Sequence, residues 1–241
     1  MKFDAVFFDS GGTIYNIGYR GAVSDPHLDR VSAGGPARAA AALRGLGHQV
    51  SDEVVAEKLD AAKELVKRKR RPGLPSNEES LISELYEELE LPVCLEEILY
   101  VTGIYSGPRY RSWLFPDVHE VLGRLRAAGV YIGLIANTGV PGWIMDRNFR
   151  GVGLLEFFGV RIYSGDEGVS KPDPSIFQLA AERAGMNGKR LAYVGNSLQA
   201  DIAGARAAGW SSVLLRSSEK TSSGLADFEI DAWKELPDIV L

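Results

Sequence analysis

Four largely apolar runs punctuate the chain, and each gives way to small or polar residues. Phe3 to Phe8 stops at Asp9-Ser10-Gly11-Gly12-Thr13, Val130 to Ala136 stops at Asn137-Thr138, Leu191 to Gly195 stops at Asn196-Ser197, and Ser212 to Leu215 stops at Arg216. Their short length and their β-branched and aromatic content predict buried strands. Between Asn16 and about Pro108 the texture becomes helical. Gly34-Gly35-Pro36 opens an alanine-rich helix that runs to Leu46. Ser51 starts a second helix, in which Val54, Val55, Leu59, Ala62, Leu65 and Val66 recur at helical spacing. Pro72-Gly73-Leu74-Pro75 is a turn, and Ser76-Asn77-Glu78-Glu79 opens a third helix with the stripe Leu81, Ile82, Leu85, Leu89. A fourth helix, about Leu95 to Tyr105, returns through Gly107-Pro108. After Arg109, strands and helices alternate. The pattern predicts an α/β fold: a doubly wound parallel sheet from residues 1–15 and 109–241, carrying a helical cap at 16–108.

Strand ends of one parallel sheet gather at a single edge, where ligands bind. Asp9, Asn137, Thr138, Asn196 and Asp201 all fall at or just beyond such ends. Lys171 joins them from Ser170-Lys171-Pro172-Asp173-Pro174, which follows a glycine-containing loop and opens a helix at Ser175. Asp9 alone is ambiguous. A carboxylate followed by glycines is ordinary turn chemistry, and it is equally a nucleophile or metal ligand with backbone free to approach a phosphate.

Taken together, these segments resemble the haloacid dehalogenase superfamily, most closely its phosphatases with a helical cap inserted after the first motif. The matching pieces are the Asp9 strand with Gly12-Thr13, the Asn137 strand end, Lys171-Pro172-Asp173-Pro174, and Gly195-Asn196-Ser197 leading to Asp201. Ile202-Ala203-Gly204-Ala205 and Ala208-Gly209 extend the likeness. The resemblance implies a Rossmann-like core and a magnesium-dependent phosphatase acting on a small phosphorylated metabolite. Asp9 would attack phosphorus and form an aspartyl-phosphate, and Lys171 would link the phosphate to Asp9. Asn137 and Thr138 would donate to phosphate oxygens. Mg²⁺ would sit on Asp9, the Gly11 carbonyl, Asn196 and Asp201.

Three positions depart from that pattern. Gly11 stands where the family's phosphatases carry an aspartate that works as general acid and base. Ala136 stands where a strand-end hydroxyl meets the phosphate. Asn196 replaces the first acid of the last motif, keeping an oxygen ligand without its charge. Two other classes therefore remain open: a catalytically silent protein that binds metal or a phosphorylated metabolite, and a 2-haloacid dehalogenase, whose halide leaves without a proton. The dehalogenases that resemble this fold carry an aromatic residue at position 11, and Gly11 is not one.

Composition narrows the setting. A chain of 241 residues buries a core plus an insertion, and a net charge of −5 gives no global field for nucleic acid. The single cysteine, Cys94, excludes an internal disulfide framework and is expected as a small apolar residue on a cap helix. With no membrane-length apolar stretch and no leader-like start, the expectation is a cytoplasmic monomer or homodimer without nucleic-acid or membrane partners.

The basic run Lys63, Lys67, Arg68, Lys69, Arg70, Arg71 reads either as a solvated helix end or as an electrostatic funnel. Arg109 and Arg111 lie where the cap returns to the core and are either substrate contacts or surface pairs. His27, His48 and His119 have no ligand spacing with one another, which argues against zinc. Trp113, Trp143, Trp210 and Trp233 are expected to pack, and the polar loop Ser217 to Gly224 carries no assigned chemistry.

Overall fold

A computed structural model describes residues 2–15, 34–107, 114–216 and 224–241. Among these, β1 (Ala5–Phe8), β2 (Tyr131–Ala136), β3 (Val160–Tyr163), β4 (Leu191–Gly195), β5 (Ser211–Leu215) and β6 (Phe228–Ile230) form one sheet in the order β3-β2-β1-β4-β5-β6. Every pairing is parallel, and β1 is central, with Phe7 opposite Gly133 on one side and Tyr193 on the other.

Side chains alternate across the sheet as a period of two requires. Val6, Phe8, Ile132, Leu134, Ala192 and Val194 pack on one face with α5 (Val118–Ala127), α6 (Gly142–Gly151) and α10 (Leu236–Val240). Ala5, Phe7, Ile135, Ile162 and Tyr193 pack on the other with α8 (Pro174–Arg183) and α9 (Ala203–Ala207). Burial on both faces explains why the strands read as near-continuous apolar runs. Gly133 is small because the Phe7 ring occupies the space a Cβ would need.

The four helices of the insert are α1 (Gly35–Gly45), α2 (Asp52–Lys69), α3 (Glu78–Glu88) and α4 (Leu95–Ser106). They bury a core of their own: Ala39 and Leu43 from α1, Val55 and Leu59 from α2, Ile82, Leu85 and Tyr86 from α3, and Ile98 and Val101 from α4. Ser51 caps α2 by accepting from Val54 N at 3.2 Å, and Asn77 caps α3 by accepting from Ser80 N at 3.1 Å. Each satisfies an amide that the first turn leaves without a helical partner.

The front of α3 docks beside the carboxyl edge of the sheet. Ser76 N donates to Gly165 O and Glu78 N to Gly139 O, both at 2.6 Å. Gly165 lies in the short helix α7 (Ser164–Glu167) that follows β3. A side chain at Gly168 would collide with the backbone of Gly73 and Leu74, so the insert rests directly on core backbone here.

Several sequence expectations shift. β3 and β6 were not legible as strands, because four and three residues respectively, partly exposed and interrupted by Arg161 and Glu229, give no run. Cys94 precedes α4 as its N-cap in extended backbone instead of lying on a helix. Trp210 and Trp233 are buried, but Trp143 is 41% exposed and donates to Glu79 at 3.1 Å. His27, Arg109, Arg111, Trp113 and the loop from Ser217 up to residue 223 lie outside the described residues.

Candidate active site

Asp9 is the first residue beyond β1, its N–H still bonded to Val194 O at 2.9 Å, so the central strand delivers its carboxylate to the sheet edge. The chain then turns back at once. Gly12 adopts φ 82°, a left-handed conformation that favours glycine, and its N–H donates to Tyr15 O at 2.7 Å. A Cβ on Gly12 would overlap the Asn196 amide. The tight turn thus brings the first motif against the end of β4. Thr13, fully buried, places its hydroxyl 3.2 Å from Asp9 Oδ2 and 3.3 Å from Asn196 Oδ1.

Lys171 reaches the same point from the loop before α8. Its ammonium is saturated: Nζ donates to Asp9 Oδ1, Asp201 Oδ1 and Tyr193 Oη, each at 2.7 Å. All four side chains are buried. Two carboxylates against one ammonium leave a net negative charge in a desolvated place. Burial pushes the Asp9 carboxyl above its usual range, against the pull of Lys171. Burial by itself would lower the Lys171 pKa, but the Asp9 and Asp201 carboxylates hold it above the ordinary lysine value. Burial likewise drives the Tyr193 phenol well above its normal pKa, reinforced by the two carboxylates.

Asp201 has both oxygens engaged. Oδ1 takes Lys171, and Oδ2 accepts Asn196 N at 3.0 Å and Ser197 N at 2.8 Å. It thereby ties the loop after β4 to the lysine. Gly195 permits this, since a Cβ there would overlap the Asp201 side chain.

The remaining expected residues arrive with different partners. Asn137 exchanges two bonds with the Lys171 backbone: its Nδ2 donates to Lys171 O and its Oδ1 accepts from Lys171 N, both at 2.9 Å. Its amide therefore clamps the lysine backbone from behind, using one of its two N–H donors. Thr138 turns its hydroxyl onto its own loop, accepting from Val140 N at 2.9 Å, while its backbone N–H meets Ser164 Oγ at 3.0 Å. Two residues of the site, Thr13 and Tyr193, were missed in the sequence. Thr13 stands out in the sequence only as part of a motif, and Tyr193 is hidden inside an apolar strand, where only its inward register beside Phe7 marks it.

Among the described residues, no three His, Cys, Asp or Glu side chains cluster as a metal centre. Asp9 Oδ2 and Asn196 Oδ1 nevertheless converge, since one Thr13 hydroxyl lies within hydrogen-bond distance of both. One carboxylate, one amide oxygen and backbone carbonyl suit a hard cation that keeps several waters, as Mg²⁺ does. The donor set fits Mg²⁺ through these oxygens; Asp201 also anchors Lys171.

The basic run resolves mostly into surface pairs: Lys63–Asp60 at 2.8 Å, Lys69–Glu84 at 2.6 Å and Lys67–Glu64 at 4.0 Å. Arg70 differs, reaching across to Ser170 Oγ at 3.4 Å, one residue from Lys171.

A family model described as haloacid dehalogenase-like hydrolase matches residues 3–209. The chain is 35% identical over 133 residues to a glyceraldehyde 3-phosphate phosphatase of Methanopyrus kandleri, covering 52% of this chain and 56% of that protein. It is 36% identical over 101 residues to a phosphoserine phosphatase of Thermus thermophilus, covering 42% and 40%. These two matches span about half the length of those relatives. A ribulose-1,5-bisphosphate 5-phosphatase of Halopiger xanaduensis is 29% identical and aligns over 98% of both chains. A solved phosphatase from Thermococcus onnurineus superposes with TM-score 0.58 at 25% identity, covering 98% of this chain and 97% of that one. A 2-haloacid dehalogenase from Pseudomonas syringae superposes at 0.66 with 21% identity and the same coverage, a likeness of fold alone. No described helix is long and apolar enough to cross a membrane.

Proposed function

The chain belongs to the haloacid dehalogenase-like hydrolase family, and from that premise we propose that it is a magnesium-dependent phosphatase of a small phosphorylated metabolite, working in the cytoplasm. The observation that carries the reading is the buried Asp9–Lys171–Asp201 constellation, with 2.7 Å contacts, at the carboxyl edge of a parallel sheet. The relatives named above are phosphatases of sugar, amino-acid and three-carbon phosphates, which supports that substrate class. Residues 1–15 and 109–241 form the catalytic core, and 16–108 form a cap that closes over the site and selects the substrate.

Asp9, Asn196, Asp201 and the Gly11 carbonyl would hold Mg²⁺, which when bound would supply charge neutralisation between an anionic nucleophile and an anionic phosphate. The protein's own residues do the rest. Asp9 attacks phosphorus, an Asp9–phosphate bond forms, the ester P–O bond breaks, and the leaving alkoxide takes its proton from water. Lys171 holds the Asp9 carboxylate in line and faces the phosphate with positive charge. Asn137 fixes the Lys171 backbone, and Asp201 fixes its side chain. A water then cleaves the acyl phosphate, releasing inorganic phosphate and the free Asp9 carboxylate. Gly11 offers no general acid or base to either half, so stable leaving groups are favoured and the covalent intermediate is long-lived.

The deciding experiment incubates the protein with an aryl phosphate and Mg²⁺, and in parallel with a 2-haloacid. Phosphate release that disappears with chelator and in Asp9→Asn supports the phosphatase. Halide release moves the reading to a dehalogenase, and inertness toward both moves it to the silent binder that Gly11 permits.

A further inference from the structure

We propose that Tyr193 is a positioning residue for Lys171: a buried phenol oxygen that takes the third ammonium proton and fixes where the lysine points. The inference rests on the phosphatase reading for its kinetic arm, but its structural arm stands on geometry.

Tyr193 lies on β4, flanking Phe7 of the central strand, with its side chain wholly buried on the α8 face of the sheet. Its hydroxyl donates to Ile135 O on β2 at 2.7 Å. Having given its single proton to that carbonyl, the phenol can offer only lone pairs to Lys171 Nζ, 2.7 Å away. The bond direction is thereby set: Lys171 donates, Tyr193 accepts. The ring cannot drift, because Phe177 packs edge-on against it with centroids 5.0 Å apart and an interplanar angle of 76°.

The consequence is geometric. A lysine side chain ends on a rotating ammonium with three donors and four flexible bonds behind it. Asp9 and Asp201 take two of those donors. With only these two, the ammonium could pivot about the line joining the carboxylates. A third acceptor, anchored in the sheet through Ile135, removes that freedom and holds the head group at one point beside Asp9. The phenol does so without adding a third negative charge, which a carboxylate in its place would bring. Tyr193 thus acts through Lys171 and touches no reacting atom, preserving a preorganised charge where electrostatic stabilisation is worth most.

Two measurements test this. In wild-type protein with ¹⁵N-labelled lysine, the Lys171 ammonium should give a slowly exchanging proton signal with a nuclear Overhauser contact to the Tyr193 ring; a rapidly exchanging ammonium without that contact overturns the proposal, whether or not any phosphate ester is hydrolysed. In Tyr193→Phe, the ring and its packing remain and only the acceptor is lost. The expected result is a kcat on aryl phosphate lower by about tenfold, the rate cost of one well-placed polar contact. KM should stay within about twofold, and the Lys171 signal should shift and exchange faster. A kcat unchanged in an active enzyme, or a fall in kcat with the Lys171 signal untouched, refutes the positioning role. If Tyr193→Phe does not fold, the wild-type spectrum alone decides. Failure of the phosphatase reading appears separately, as an inert wild type.

Discussion

Asn77 donates to Asp166 Oδ1 at 2.7 Å, and the other oxygen of Asp166 accepts Gly142 N at 2.9 Å. One carboxylate thus ties the front of α3 to the start of α6, joining insert and core next to the carboxyl edge of the sheet. Asn77 is a good donor here because its own oxygen is already spent on capping α3. Asn77→Asp keeps that capping oxygen and turns the contact with Asp166 into two opposed carboxylates. The expected outcome is a loosened insert at neutral pH: raised KM on the native substrate class and faster protease cleavage between Arg70 and Asn77. The lost charged hydrogen bond corresponds to about 1.5–3 kcal/mol. Unchanged cleavage and KM would remove Asp166 as the tie between the two parts.

The strands that build the site were legible because burial on both faces writes them as apolar runs, and β4 begins and ends where the sequence placed it, Leu191–Gly195. The insert helices were legible through caps and spacing, Ser51 and Asn77 included. Asp9 and Lys171 could be placed at one edge because the ends of parallel strands gather there, without the strand order being legible. What a sequence does not carry is how a polar group divides its bonds among neighbours. Asn137 turned out to hold backbone, Thr138 its own loop, and Asp201 the lysine plus two amides. Tyr193 was unreadable for the opposite reason: an aromatic in a buried strand looks like packing until its hydroxyl is seen between Ile135 O and Lys171.

Asp9→Asn should abolish turnover and leave the fold at least as stable as the wild type. The folded-state pKa of Asp9 is raised above its unfolded value by burial. A group raised in this way contributes stability that is present below the unfolded pKa, near 3.8, and is lost as pH rises through the folded pKa. Asparagine has no such loss. The variant's advantage in Tm should therefore grow as pH rises above the unfolded pKa, near 3.8. A constant deficit of Asp9→Asn across that rise would show that Lys171 fully compensates the Asp9 charge.

Gly195→Ala probes the link from β4 to the lysine. The new methyl would occupy the position of the Asp201 side chain, which is buried and has nowhere to retreat. Overpacking of this kind costs about 1–3 kcal/mol. Displaced Asp201 would also release Lys171 and the amides of Asn196 and Ser197. Activity should fall further than stability, measured as kcat against thermal midpoint. Equal, small losses in both would mean that the loop after β4 shifts as a unit and carries Asp201 with it.

Gly11→Asp tests whether the missing acid limits the enzyme. The two glycines of the turn differ in what they tolerate: Gly12 needs φ 82° and has the Asn196 amide against it, whereas Gly11 is not among the glycines with positive φ. A side chain is therefore strained at position 12, and position 11 is the one to substitute. General acid–base catalysis typically contributes about 10²–10⁴ in rate, and poor leaving groups need it most. Gly11→Asp should raise kcat on alkyl phosphates, such as sugar phosphates, by at least about tenfold, and on aryl phosphates far less. Phosphorylated Asp9, visible by mass spectrometry in the wild type under turnover, should become scarce in the variant because its hydrolysis is now assisted. An increase equal on both substrate classes would indicate better metal or phosphate binding instead of proton transfer. A folded, Mg²⁺-binding Gly11→Asp without hydrolysis of any phosphate ester, beside an equally inert wild type, would leave the chain as a binding protein on a phosphatase scaffold.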